Sequence, residues 1–220
     1  MKRDHLLQAA VLCGLAALGL SLYVGWHGAP LSGDLWLTAQ IQRVGQLERN
    51  AGLINRAPML LWYVFSAASL LVAFGGRLGQ RARAVPSRQE ALSAMALGIV
   101  LVFGDQLLKE ILRSPRPSVD LGVRVDQAFP GYGFPSGHVY SDMLLYGLLA
   151  AIAPAWLPGW LVLPARALAV AIILLAGPAR VVVGAHWPSD TLGGYLWGSA
   201  ALCLSLWFGR WVARRTPMPW

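Results

Sequence analysis

Six apolar runs, most of them close to the length a helix needs to cross a bilayer, constrain this chain more than any single residue in it. About 20 helical residues span a ~30 Å hydrocarbon core. The runs cover Leu6–Trp26, about Met59–Gly75, Ala91 to the Ser114-Pro115 and Arg116-Pro117 pairs, then 138–154, 167–183 and 190–208. The prolines close the third run because neither they nor the residues before them sustain a helix. Only 13% of the 220 residues are charged and 56% are apolar, where a soluble domain carries about 25% charged residues. The chain is therefore expected to be all-α: a six-helix transmembrane bundle forming a single domain over 1–220.

Between the first two runs lies the longest polar interval, 27–57. Leu37, Ile41, Val44 and Leu47 recur there at helical spacing, with Gln40, Gln42, Arg43, Gln46 and Arg49 between them. The pattern predicts a short amphipathic helix lying at the interface, with Asp34 as its cap; a connector without lipid contact is the alternative. The first run, behind the basic head Lys2-Arg3, could instead be a signal peptide. It is long enough to span, and no small-x-small site closes it convincingly, so a retained first span is expected. The 155–166 link carries Pro and Gly breakers and Arg166.

Charge follows topology. The net +8 falls at the edges of apolar runs, not in a polar basic stretch among stacking aromatics, which argues against nucleic acid. Six spans put both termini on one side. That side holds Lys2, Arg3, Arg77, Arg81, Arg83, Arg88, Arg166, Arg210, Arg214 and Arg215, ten in all. Setting Lys109, Arg116 and Arg180 aside as site candidates, the other side keeps five: Arg43, Arg49, Arg56, Arg113 and Arg124. The bias predicts cytoplasmic termini. Cys13 and Cys203 both sit inside apolar runs and read as packing residues.

The same topology brings three polar stretches to one membrane face: Lys109 to Arg116-Pro117, Pro135-Ser136-Gly137-His138, and Arg180 through His186 to Asp190. Charges at such depth cost several kcal/mol, about 2.5–3.5 each on insertion scales, and usually pair or serve a function. Lys109, Arg116 and Arg180 together call for an anion, and arginine forks suit phosphate. Pro135 stands where a helix would start, so Ser136 and Gly137 would offer free N–H groups at its positive end. A neutral imidazole can attack phosphorus. Asp190, one turn beyond His186, could take the other ring proton, and His138 could protonate the leaving oxygen and later activate water.

These spaced stretches resemble the signature of the type 2 phosphatidic acid phosphatase superfamily, K-x₆-R-P, P-S-G-H and S-R-x₅-H-x₃-D. The resemblance covers about half the chain, with the motif-bearing core at about 91–208. It implies a membrane phosphatase with His186 as nucleophile, Asp190 as its orienting partner and His138 as proton donor. Lys109, Arg116, Ser136, Gly137 and Arg180 would bind phosphate, and no metal or other cofactor would be required. Ala179 departs from the pattern, which has serine there, and removes one hydroxyl from the phosphate's surroundings. The resemblance further implies a bacterial inner-membrane enzyme facing the periplasm. Its substrate would be a lipid phosphate or diphosphate: undecaprenyl diphosphate first, for want of an added headgroup-binding domain, then phosphatidylglycerol phosphate, phosphatidic acid or lipid A phosphates.

Other readings stay open at this point. His138, His186, Asp190 and Asp142 could form a metal site, although three nearby cations would repel a divalent ion. Phosphotransfer to another lipid is an alternative reaction, and a flippase for an anionic lipid an alternative class, although transporters place their charges near the midplane. Asp105 and Lys109 could be a simple helix pair. Asp142 could support the site or merely be satisfied within the bundle. Tyr132, Tyr140 and the tryptophans read as interface anchors.

Overall fold

The structure, a computed structural model, describes residues 4–44, 86–126 and 129–215. Within them the chain forms helices α1 (His5–His27), α2 (Asp34–Gln42), α3 (Arg88–Leu101), α4 (Gly104–Leu112), α5 (Gly137–Trp156), α6 (Gly159–Val182) and α7 (Pro188–Arg215). A single 3₁₀ turn, Val119–Leu121, interrupts the loop before α5. No strand occurs among the described residues. Among the described residues five segments are long and apolar enough to cross a membrane: α1, α3 with α4, α5, α6 and α7. The span expected at Met59–Gly75, and Arg77, Arg81 and Arg83 after it, lie outside the described residues.

The third span is broken where one continuous helix was expected. The α3 ladder ends at Leu101, and Gly104 starts a new helix after Val102 and Phe103. The hydroxyl of Tyr140 donates to the Leu101 carbonyl at this break. Tyr140 is thus a buried staple within the bundle and not an interface anchor. Trp187 is likewise fully buried, its indole N–H donating to the Pro115 carbonyl at 3.2 Å.

The fifth span begins earlier than expected. Its helix starts at Gly159 behind Pro158, which cuts the 155–166 link to two residues and takes Pro164 and Pro178 into the helix. Membrane helices tolerate proline where neighbours satisfy the freed backbone groups. Here the Tyr195 hydroxyl accepts from the Gly177 N–H at 2.9 Å and donates to the Ile173 carbonyl at 2.7 Å, bridging the ladder beside Pro178.

The last helix, α7, is the axis of the bundle. It packs against α1, α3 and α5, while α6 packs on α5 and α2 lies across α6 and α7. In lipid, helices associate through close packing of small residues. Gly194 and Gly198, one turn apart on α7, meet the backbone of α5: a Cβ would stand 2.7 Å from the Ser136 carbonyl and 2.8 Å from that of Tyr140. Below this contact, Ala94, Leu144, Leu148 and Ala201 join α3, α5 and α7 in one apolar cluster with Tyr140. Large apolar side chains such as Leu163 face outward, 75% exposed.

Polar contacts close one end. Asp4 accepts from the Trp207 indole at 3.0 Å, and Arg210 meets Glu90 at 3.1 Å. The described ends of the chain therefore share one end of the bundle. The other end gathers α2, the end of α4, the start of α5 and the turn between α6 and α7. The α2 helix covers part of the expected helix, whose Gln46, Leu47 and Arg49 lie outside the described residues. It departs from the amphipathic pattern except at Ile41, which packs against Val182, Val183 and Ala185. Its buried residues are the polar Asp34 and Thr38, while Leu35, Trp36 and Leu37 are exposed. Gly33 stands at its N-cap, and Asp34 makes no cap bond to its own helix beyond it.

The glycine contact predicts an asymmetric response to added volume. Gly198→Leu should lower the unfolding stability of the detergent-solubilised protein by ~1–3 kcal/mol. Leu163→Ala, on the lipid face, should change it by less than about 0.5 kcal/mol. Thermal unfolding of the two variants beside the parent checks both.

Candidate active site

The turn joining α6 to α7 supplies the centre of the site. Arg180 lies in the last turn of α6, His186 in the turn, and Asp190 in the first turn of α7. All three are buried, at 8%, 3% and 0% exposed. Pro188 opens α7, where its missing N–H costs nothing. Asp190 then takes the Trp187 N–H on Oδ2 at 2.9 Å, which fixes the carboxylate under the turn.

Two groups fix the state of the His186 ring. The Arg116 Nη1 lies 3.1 Å from Nε2. A guanidinium has only donors, so Nε2 must offer its lone pair, and the neutral ring carries its proton on Nδ1. Nδ1 faces Asp190 Oδ2 at 3.4 Å. That is beyond a formed hydrogen bond, and Nδ1 has no other partner. His186 and Asp190 thus stand side by side as the spacing suggests, without a formed hydrogen bond between them. Burial, reinforced by Arg116, Arg180 and Lys109, holds the His186 pKa well below 6.5. The ring is therefore neutral near pH 7, with its lone pair on Nε2 turned to Arg116.

Arg116 is itself held by backbone. Nη1 donates to the Ala185 carbonyl at 2.7 Å and Nε to that of Gly131 at 3.1 Å, with the guanidinium over the Phe129 ring. Lys109 pairs with Asp105 at 2.8 Å, one helical turn away on α4. This is the helix pair that the sequence allows, but it does more than close α4. A Cβ on Gly137 would overlap the Asp105 carboxylate and stand 2.8 Å from Lys109 Nζ. Glycine at 137 is thus what lets the lysine and its carboxylate reach the start of α5.

The α5 N-terminus differs from expectation in one respect. The Ser136 N–H is not free; it donates to the Asp190 carbonyl at 2.9 Å and ties the starts of α5 and α7 together. The first bond of the α5 ladder is Tyr140 N–H to the Ser136 carbonyl. That leaves the N–H groups of Gly137, His138 and Val139 as the helix's positive end. The Ser136 Oγ is fully buried with no partner, a hydroxyl suited to a ligand oxygen. His138 is exposed on the first turn of α5. Both histidines lie in the field of Lys109, Arg116 and Arg180.

Asp142 acts electrostatically on Arg180 across α5 and α6. Among the described residues no three His, Cys, Asp or Glu side chains assemble as a metal-holding group, so the set His138, His186, Asp190 and Asp142 does not form one. Ala179 is completely buried within the bundle. Three neighbours of the site were not anticipated: Asp105 beneath Gly137, and Asp34 and Gln42 from α2. Asp34 accepts from the Ser189 N–H and hydroxyl, beside Asp190. No pattern joins residues 155 positions apart, and only the i,i+4 spacing of Asp105 and Lys109 was a usable signal.

This arrangement has counterparts among known proteins. Over 87% of its length the chain is 28% identical to a lipid A 1-phosphatase of Rhizobium johnstonii, covering 76% of that protein. A second lipid A 1-phosphatase, from Rhizobium etli, is 29% identical over 70% of this chain and 71% of its own. The crystal structure of the PAP2-type phosphatidylglycerolphosphate phosphatase of Bacillus subtilis superposes with a TM-score of 0.72 at 20% identity, covering 94% of this chain and 99% of that one. It shares the fold. The PAP2 superfamily family model matches residues 90–214, more than half of the 220. That stretch contains Lys109, Arg116, His138, Arg180, His186 and Asp190, and through it the chain belongs to the PAP2 superfamily.

Proposed function

We propose that the protein removes a terminal phosphate from a lipid headgroup through a phosphohistidine at His186. The observation that carries this reading is the ring itself: buried, neutral, with Nδ1 toward Asp190 and the Nε2 lone pair held only by Arg116 at 3.1 Å. An incoming phosphate gives Arg116 a better acceptor and frees that lone pair. Nε2 then attacks phosphorus while the bond to the lipid oxygen breaks, and His138 gives that oxygen its proton. His186 becomes cationic as its Nδ1–H closes on Asp190. Lys109, Arg116, Arg180 and the α5 N-terminus take up the charge on the phosphoryl oxygens. Ser136 and Gly137 line that end of the helix. In the second step His138 takes a proton from water, which attacks phosphorus; the N–P bond breaks, its electrons return to Nε2, and orthophosphate leaves.

The names of the two Rhizobium relatives move the first substrate to test from undecaprenyl diphosphate to a lipid A 1-phosphate. The excess of basic residues on the side of the termini supports a bacterial inner-membrane protein with this site facing the periplasm. Phosphate release should be measured with purified protein on lipid A 1-phosphate, undecaprenyl diphosphate, phosphatidylglycerol phosphate and phosphatidic acid. His186→Ala should lower the rate by at least about 10⁴-fold on whichever lipid is turned over, as losing a nucleophile does elsewhere. Near-parental turnover by that variant would remove the mechanism, and transfer of phosphate to added lipid would move it to phosphotransfer.

The depressed His186 pKa fixes the sign of the pH dependence. A lowered pKa keeps the ring neutral and nucleophilic down through its ordinary value, and activity is lost only as pH falls through the lowered one. The acidic limb of kcat/KM should therefore lie below pH 6.5. An acidic limb above that value in the free enzyme would contradict a neutral, buried nucleophile.

A further inference from the structure

We propose that α2 is a clamp on the turn between α6 and α7, with Asp34 positioning its His186–Asp190 side and Gln42 its Arg180 side. The inference rests on the phosphatase reading for what the clamp serves. Helix α7 begins with N–H groups that have no partner in their own helix. Asp34 receives one of them: its Oδ1 accepts the Ser189 N–H at 3.0 Å, and Oδ2 accepts the Ser189 hydroxyl at 2.7 Å. The same Oδ2 takes the Leu31 N–H at 2.8 Å, which holds the carboxylate on its own loop. Ser189 immediately precedes Asp190 and is 7% exposed.

Gln42 does the converse at the end of α6, where carbonyls lack donors. Its Nε2 lies 3.2 Å from the Val181 carbonyl and 3.3 Å from that of Val182, directly after Arg180. The same amide spans the Arg124 backbone, donating to its carbonyl at 2.9 Å and accepting its N–H at 3.0 Å. A carboxylate thus meets the positive end of one helix and amide N–H groups meet the negative end of the other. Both contacts come from a nine-residue helix, too short to be stable alone.

Capping alone does not account for this pair. Asp190 already takes the Trp187 N–H, so α7 has a local acceptor. The fully buried residues of α2 are the polar Asp34 and Thr38, while Leu35, Trp36 and Leu37 are exposed and Ile41 packs against Val182, Val183 and Ala185. Directional bonds therefore set the place of α2 beside the apolar contact that Ile41 makes. The family match begins at residue 90, so the clamp comes from a stretch which that match does not cover.

The test uses the full chain in detergent with Asp34→Ala, Asp34→Asn and Gln42→Ala. Misplacement by about 1 Å costs on the order of 100-fold, so Asp34→Ala should lower kcat by about that factor with KM within about threefold. Asp34→Asn keeps an acceptor for the Ser189 N–H and should recover at least about tenfold of the loss. Gln42→Ala should act on the other side, raising KM and the inhibition constant of inorganic phosphate by roughly tenfold with kcat less affected. Amide hydrogen exchange should rise locally, around 183–190 for Asp34→Ala and around 124 and 181–184 for Gln42→Ala. Parental kinetics and exchange in both alanine variants would overturn the clamp. Parallel losses of kcat, KM and thermal stability in both would also overturn it, leaving a merely structural helix. If the parent protein releases no phosphate from any lipid, the phosphatase reading fails instead. The exchange pattern then decides the clamp alone: a local rise supports it and an unchanged pattern overturns it.

Discussion

A neutral histidine buried beneath three cations is the constraint around which this end of the bundle is arranged. His186 is 3% exposed, with Arg116 on Nε2 and Asp190 facing Nδ1. Burial and positive neighbours disfavour the charged ring, so the nitrogen facing Arg116 keeps its lone pair. The same cations are poorly placed without an anion among them. Arg116 uses backbone carbonyls and the imidazole, Lys109 uses Asp105, and Arg180 interacts with Asp142. Arg116 holds only neutral acceptors, which a phosphate can outcompete because charge-assisted bonds to phosphate oxygens are stronger.

The fold serves that constraint by bringing backbones close. Small residues on α7 let α5 approach until the Ser136 N–H reaches the Asp190 carbonyl, so both histidine-bearing segments share one tie. The break between α3 and α4 is closed by Tyr140 from α5, on the same helix that carries His138. The helix ladder beside Pro178 is bridged by Tyr195 from α7. Irregular backbone thus occurs next to the site and is satisfied by the helices that carry it, as a lipid environment demands.

Much of this was legible in the sequence, for a physical reason. Span ends are forced to a membrane face by length, so Lys109, Arg116, His138, Arg180, His186 and Asp190 could be placed together without any contact being known. Their spacing matched a family signature, and the family match covers that stretch. What could not be read was pairing across long separations. Asp34 looked like a cap for its own helix, but it serves Ser189 at the start of α7. Ser136 looked like a free donor because a helix N-terminus alone predicts one, and only the tertiary docking of α7 uses it up. Tyr140 and Trp187 looked like interface anchors because composition favours that role in membrane proteins, whereas both are buried. The breakers Pro158, Gly159 and Pro164 delayed the expected start of the fifth span, because a proline that a membrane helix tolerates reads in sequence like one that ends it.

The account turns on which atom bonds to phosphorus. Rapid quenching of the enzyme during turnover of a ³²P-labelled lipid phosphate, at alkaline pH to preserve an N–P bond, would trap the intermediate. Peptide mapping with separation of the two phosphohistidine isomers would then locate it. The geometry predicts label on His186 alone, on Nε2, the nitrogen that faces Arg116 while Nδ1 faces Asp190. Label on Nδ1, on His138, or on no residue while phosphate is still released would contradict it.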